Sequence, residues 1–164
     1  MACLLTQSLG ADCEFVVGGL SRLLLINKAD ITSASYSAIT LTTTAKTAYE
    51  VTFAPGTGGF TNELTVSNGQ KYVTQGIVFN VNSKSQEVLD EASNLALGKF
   101  AALCQDRAGD WYLLGRVGYG LQASVVALNS GVAAGDIGGL QVNMSNECTE
   151  YAVLYTGSLP SIAA

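Results

Sequence analysis

Apolar and polar residues along this chain recur mostly with a period of two, the spacing that sends alternate side chains to opposite faces of a β-strand. GGLSRLLLIN (18–27) reads as a first strand, opened by a glycine pair and closed by Asn27. Segment 28–48 is dense in Ser, Thr and Ala with scattered β-branched residues, which fits either short strands with loops or a segment that orders on assembly. YEVTFA (49–54) alternates as a strand until Pro55 and the glycines behind it interrupt the pattern. ELTVS (63–67), the turn NGQ (68–70) and KYVTQGIVFNV (71–81) make the strongest hairpin signal in the chain, because Asn-Gly accepts the left-handed backbone of a tight turn.

Between 83 and 97 the period changes. Val88, Leu89, Ala92, Leu95 and Ala96 fall at spacings of three and four, Ser83 followed by Gln86 has the form of a capping box, and Gly98 closes the segment. The expectation is one amphipathic helix over 83–97. KFAALCQD (99–106) and WYLLGRV (111–117) then flank RAGD as a second hairpin, with Trp111 and Tyr112 at its root. A strand at 121–129, a small-residue loop at 130–139 and strands at 140–145 and 150–156 complete the chain. Seven or more strands with a single helix predict a mainly β fold, a β-sandwich or barrel with one flanking α-helix.

The 164 residues fit one domain, 1–164, with an N-terminal arm at 1–17 and a C-terminal tail at 157–164. Composition adds that its surface is unusual. Charged residues make up 13% of the chain against about 25% in an ordinary domain, hydrophobic residues reach 48%, and mean hydropathy is +0.30. Ser, Thr, Asn, Gln and Gly supply the polarity, so part of the surface is expected to be covered by copies of the same chain. Eight basic against thirteen acidic residues give a net charge of -5 without any Lys/Arg cluster. That balance argues against tight binding to a phosphate backbone, yet suits a surface that nucleic acid passes without sticking. The N-terminus has no basic region ahead of its short apolar stretch, and no run is long enough to span a bilayer, so a soluble, unprocessed chain is expected.

Few residues invite chemistry. VGYGLQA (117–123) spells the G-x-G-x-x-A form of a dinucleotide fingerprint, and Asp136 lies near the distance of its acidic partner. The next residues are β-rich rather than helical, so Gly118 and Gly120 are read as a bend between strands. PGTGG (55–59) lacks the Lys-Ser/Thr of a phosphate-cradling loop. With no histidine in the chain, Ser-His-Asp and Cys-His nucleophiles and Cys/His zinc sites are excluded. Carboxylates neighbour one another at Asp12/Glu14, Asp90/Glu91 and Asp106/Asp110, each better explained by a solvated face or a turn. Cys3, Cys13, Cys104 and Cys148 form no C-x-x-C pair; Cys104 lies in an apolar run as a core thiol, and reduced Cys3 and Cys13 are expected. NMS (143–145) matches a glycosylation sequon of little weight without a secretion signal. No catalytic residue, cofactor or metal is expected.

GGLSRLLLINKADIT, then GTGGFTNELTVSNGQKYVTQGIVFNV, then the helix and ALGKFAALCQDRAGDWYLLGRVGYGLQ make up an ordered series over about 18–145. The series resembles virion structural proteins of tailed phages infecting Bacteroidetes-type bacteria, and its order of segments is similar to that of tail tube proteins. The resemblance implies subunits that join edge to edge into rings, commonly hexameric, that stack into a tube through which DNA is ejected. It implies assembly in the host cytoplasm, residence in the virion tail, no membrane, and contacts with terminator, tape measure and baseplate or tail-tip proteins. Long loops and terminal arms generally make the inter-ring contacts, for which 28–48 and SLPSIAA are suitable. The Gly/Ala-rich stretch at 130–139 departs from the pattern.

On this reading the candidate interface residues are Ile31, Tyr36, Ile39, Leu41 and Leu159, joined by Trp111 and Tyr112. The last two point to opposite faces of one strand, so on a one-sided sheet at most one is core. A head-tail junction or capsid decoration protein is a second possibility. A third is a carbohydrate-binding sandwich that stacks sugars on Tyr36, Trp111, Tyr112 or Tyr119.

Overall fold

Two strands carry apolar side chains at successive rather than alternate positions, which requires cover on both of their faces. The computed structural model describes residue 7 and residues 18–42, 47–83 and 85–163. In chain order the elements are β1 (Leu20–Asn27), a 3-10 turn (Lys28–Asp30), β2 (Ile31–Ala34), β3 (Ile39–Leu41), β4 (Tyr49–Val51), β5 (Gly59–Ser67), β6 (Gln70–Val81), α1 (Gln86–Leu97), β7 (Phe100–Asp106), β8 (Trp111–Leu114), β9 (Gln122–Asn129), β10 (Gly139–Cys148) and β11 (Val153–Tyr155). The fold is therefore mainly β. A five-stranded sheet, β11-β8-β7-β1-β4, faces a four-stranded sheet, β5-β6-β10-β9, and the β2-β3 hairpin forms a small third sheet.

β1 and β7 are the central pair. Leu23 and Leu25, set opposite Cys104 and Ala102, face the four-stranded sheet and meet Ile77, Phe79, Val142 and Met144. Leu24 and Ile26, opposite Leu103 and Ala101, face the other way into a second cluster with Leu113 and Tyr155, which Ile31, Ile39, Leu41 and Trp111 cover. Burying each of these large side chains contributes about 2 kcal/mol. The second cover is thus as necessary as the first.

The Asn-Gly hairpin forms as the sequence requires. Ser67 pairs with Gln70, and Asn68 and Gly69 take φ of 51° and 76°, the left-handed pair of a type I′ turn. The second hairpin also forms, with the Asp106 carboxylate accepting the backbone N–H of Gly109 at 2.9 Å and of Asp110 at 3.0 Å. Strand 49–54 is shorter than its alternation suggests, ending at Val51. Segment 28–48 resolves, over its described part, into short strands with a turn; residues 43–46, like 1–6, 8–17 and the possible Cys3 and Cys13 pair, lie outside the described residues.

The helix begins later than expected. Its N-cap is Ser85, whose hydroxyl accepts the Val88 N–H at 3.4 Å, and Ser83 instead accepts the Ser85 N–H. Gly98 does close it, by a bond from its N–H to the Asn94 carbonyl, but with φ of -82°. Glycine is needed there for space, since a Cβ would stand 2.5 Å from the Phe100 ring.

Two stability measurements check this architecture. Leu103→Ala, at a fully buried position, is expected to cost about 2–5 kcal/mol in denaturant unfolding, whereas Leu97→Ala at the exposed helix end stays within about 0.5 kcal/mol. Ser85→Ala is expected to cost about 1 kcal/mol through loss of the cap, and Ser83→Ala less.

Candidate functional site

The seven residues singled out as interface candidates separate into three groups. Ile31, Ile39, Leu41 and Trp111 each pack, half-buried, against the outer cluster of the five-stranded sheet. Tyr112 points to the opposite face, where its ring lies 5.1 Å from that of Phe60. Because this sheet is covered on both sides, Trp111 and Tyr112 both contribute to packing. Trp111 is also capped by the Arg22 guanidinium 5.4 Å from its ring. Tyr36, 63% exposed at the tip of the β2-β3 hairpin, and Leu159 in the tail remain available. The tail itself folds back on its own subunit, with Ala48 N–H bonded to the Ser161 carbonyl and Ala163 N–H to the Ala48 carbonyl.

The glycine-rich stretch is a bend, and its surroundings explain it. Gly118 and Gly120 have φ of 82° and 86°, β9 comes next, and Phe100 and Leu121 exchange backbone hydrogen bonds across the bend. A polar hub holds this loop between the sheets. The buried Gln75 accepts the Gly115 N–H at 2.9 Å and donates to the Glu150 carbonyl at 3.1 Å. Asn146, also buried, donates to the Val117 carbonyl at 2.9 Å. Lys28 Nζ donates to the carbonyls of Gly115 and Arg116, and Arg116 pairs with Glu150 and donates to the Ala34 carbonyl. Burial, and then the nearby Arg116 charge, lowers the Lys28 ammonium from its ordinary value.

The carboxylate pairs are engaged in local structure. Asp106 organises its turn, Asp90 accepts from Gln86 and Glu91 from Asn94. Asp12 and Glu14 lie outside the described residues. Burial, followed by the Asp106 and Asp110 charges, raises the Tyr112 phenol, and burial raises the Cys104 thiol far above its usual range. Asp136, exposed, is lowered by hydrogen bonds from the Ala133 and Val132 N–H groups that close the 130–139 loop. No cluster of metal-ligating side chains occurs among the described residues, and none of their helices is long and apolar enough to cross a membrane.

What stands out instead is surface at the sheet edges and beside the helix, the long alternating strand β6 itself being interior, between β5 and β10. The edges of the five-stranded sheet are β11 and β4, three residues each, whereas those of the four-stranded sheet are β5 and β9, nine and eight residues. A cleft of about 500 Å³ lies between α1 and the end of β6, floored by Val51, Phe53, Phe79, Val88, Leu95 and Leu140 and bordered by Glu50, Glu87 and Glu91. A second cleft of about 430 Å³ lies beside Tyr119, with Gln122, Ser124, Ser145 and Glu147 around it.

These features define a β-sandwich with one flanking helix and open lateral edges. Comparison of the chain with protein-family profiles, with curated proteins and with solved structures found no match.

The hub carries its own test. Gln75→Leu leaves the buried Gly115 N–H without its acceptor, a loss of about 1–3 kcal/mol, and takes from the Glu150 carbonyl one of its two donors, the other being Cys148 Sγ. The destabilisation is expected in denaturant unfolding, with the strands retained in the circular dichroism spectrum.

Proposed function

We propose that this chain is a non-catalytic virion subunit that associates edge to edge into rings, stacked as a phage tail tube that conducts DNA without binding it specifically. The observation that carries this reading is the contrast between the two sheets. Short edge strands, lysines and prolines are the usual means of preventing edge pairing. The five-stranded sheet has the short edges, but β5 and β9 are long, carry neither Lys nor Pro, and have Glu63 as their one charge. They lie on opposite sides of the same sheet, so pairing β5 of one copy with β9 of the next is heterologous and closes a ring when the rotation permits. Low overall charge fits large subunit contacts, and net acidity repels rather than traps DNA.

A second reading draws on the Tyr119 cleft. Tyr119 is 75% exposed, with Lys99 5.3 Å from its ring, and the amide, hydroxyl and carboxylate groups beside it are those that bind a sugar. This favours a carbohydrate-binding surface protein. Trp111 and Tyr112, both engaged in packing, add nothing to it.

Light scattering and negative-stain electron microscopy at two concentrations separate the readings. Rings are expected for the wild-type chain and monomers for Thr61→Lys with Val125→Lys, which places a cation on each edge. A wild-type chain that stays monomeric at high concentration overturns the assembly reading and makes saturation-transfer NMR with oligosaccharides the deciding measurement for the second.

A further inference from the structure

The two ends of β6 carry a protrusion and a recess of matching chemistry. The strand runs from Gln70 to Val81, a length of roughly 36 Å. At its start the β5-β6 hairpin reaches past its neighbours. β10 pairs no further than Cys148 with Val73, and residues 70–72 pair with β5 alone. On one face of this tip Val66 stands opposite Lys71 and Leu64 opposite Val73. Val73 is 2% exposed, but Leu64 and Val66 are 43% and 61% exposed, an apolar surface that its own subunit leaves uncovered. Lys71 is the one charged residue between 64 and 72.

At the far end of the strand lies the α1 cleft. Its floor is apolar, and α1 buries no residue fully although Val88, Ala92 and Leu95 pack against the core. The amphipathic stripe of the helix is therefore half open. Glu87 and Glu91, one turn apart, stand on the helix wall and are the carboxylates that face the cleft; Glu50 lines its rim, but its carboxylate turns to the other face of β4, where Arg22 holds it at 2.9 Å. Among the described residues that line the cleft there is no Lys or Arg; Lys84, next to Ser83 in sequence, lies outside the described residues. The chain's own first 17 residues are a poor occupant, because they carry Asp12 and Glu14 and no basic side chain.

We infer that the β5-β6 tip of one copy docks in the α1 cleft of the next, Leu64 and Val66 covering the apolar floor and Lys71 meeting Glu87 and Glu91. The inference rests on the self-assembly reading above and supplies its second contact. Tip and cleft are different surfaces, so the contact is head-to-tail and propagates as an open series instead of closing a dimer. It runs along β6, across the direction in which the edges of β5 and β9 would pair, and so joins rings to one another.

Charge reversal on the full-length chain tests it, because Lys71, Glu87 and Glu91 are all exposed and the fold is checked by circular dichroism. Lys71→Glu and Glu91→Lys are each expected to raise the concentration needed for stacking by about tenfold or more, leaving single rings intact, and the double variant is expected to restore stacks. Stacking unchanged in the single variants, or a double variant as impaired as either, overturns the inference. Wild-type rings that never stack overturn it, and with it the stacked tube, while sparing the edge-to-edge ring; a wild-type chain that forms no rings overturns every part of the assembly reading.

Discussion

The whole molecule is organised by the need to cover β1 and β7 twice. Leu23 and Leu25 on one side, Leu24 and Ile26 on the other, leave no face of β1 for solvent, and β7 repeats the requirement with Ala102 and Cys104 against Ala101 and Leu103. Four-stranded sheet and helix satisfy the first face. On the second, the β2-β3 hairpin lies over the cluster, and the C-terminal segment is bonded to Ala48, itself part of it. Residues that in a one-sided sandwich would be free for a partner, Ile31, Ile39 and Leu41 above all, are thereby drawn into the subunit. The polar hub around Gln75 has a related origin. The bend after β8 begins buried at Gly115 and half-buried at Arg116 and Val117, where water has little access to its backbone groups, and Gln75, Asn146 and Lys28 bond them instead.

Local signals in the chain were readable where they were self-contained. Asn68-Gly69 needs no tertiary context to turn, and the spacing of Val88, Ala92 and Leu95 fixes both a helix and its inward face. The cap was harder to place, because Ser83 and Ser85 both precede the helix and the choice depends on which hydroxyl reaches Val88. Short strands β2 and β3 were ambiguous, since three or four residues carry too little alternation to separate strand from loop, whereas β4 was readable from its alternation and only its end was misplaced. The double burial of β1 was written in LLLI, a continuous apolar run, yet such a run does not say what covers its second face. The cleft and the protruding hairpin were not legible at all. Both arise from where neighbouring elements stop, β10 at Cys148 and β4 at Val51, which strand alternation does not reveal.

The surfaces left over after folding are unevenly distributed. Sheet edges on the five-stranded side are kept to three residues, and the tail adds a parallel bridge between Ile162 and Ala48. The four-stranded side receives no such protection, although its outer face is made largely of Thr, Ser, Asn and Gln, with Tyr72, Val78 and Val125 as exposed apolar residues and Glu63 and Glu147 as its charges. Uncharged polar side chains cost less to bring against another copy than charges do, because each retains the chance of a hydrogen bond and none brings a desolvated ion. On the assembly proposed above, a composition of 13% charged residues would lower the cost of repeated self-contact.

Direction distinguishes the two proposed contacts and gives them separate physical character. Pairing at β5 and β9 would act through backbone groups spaced along the strands, little affected by salt and tolerant of uncharged side-chain changes, though not of a cation placed on the edge. The hairpin-in-cleft contact would act through a few apolar side chains and one cation among carboxylates, and its electrostatic part weakens as ionic strength rises. An assembly built from one of each has a lateral bond set by backbone geometry and an axial bond set by side chains. Its rings would then persist under conditions of salt and dilution in which the stack comes apart, a hierarchy rooted in the placement of edges, tip and cleft on this one subunit.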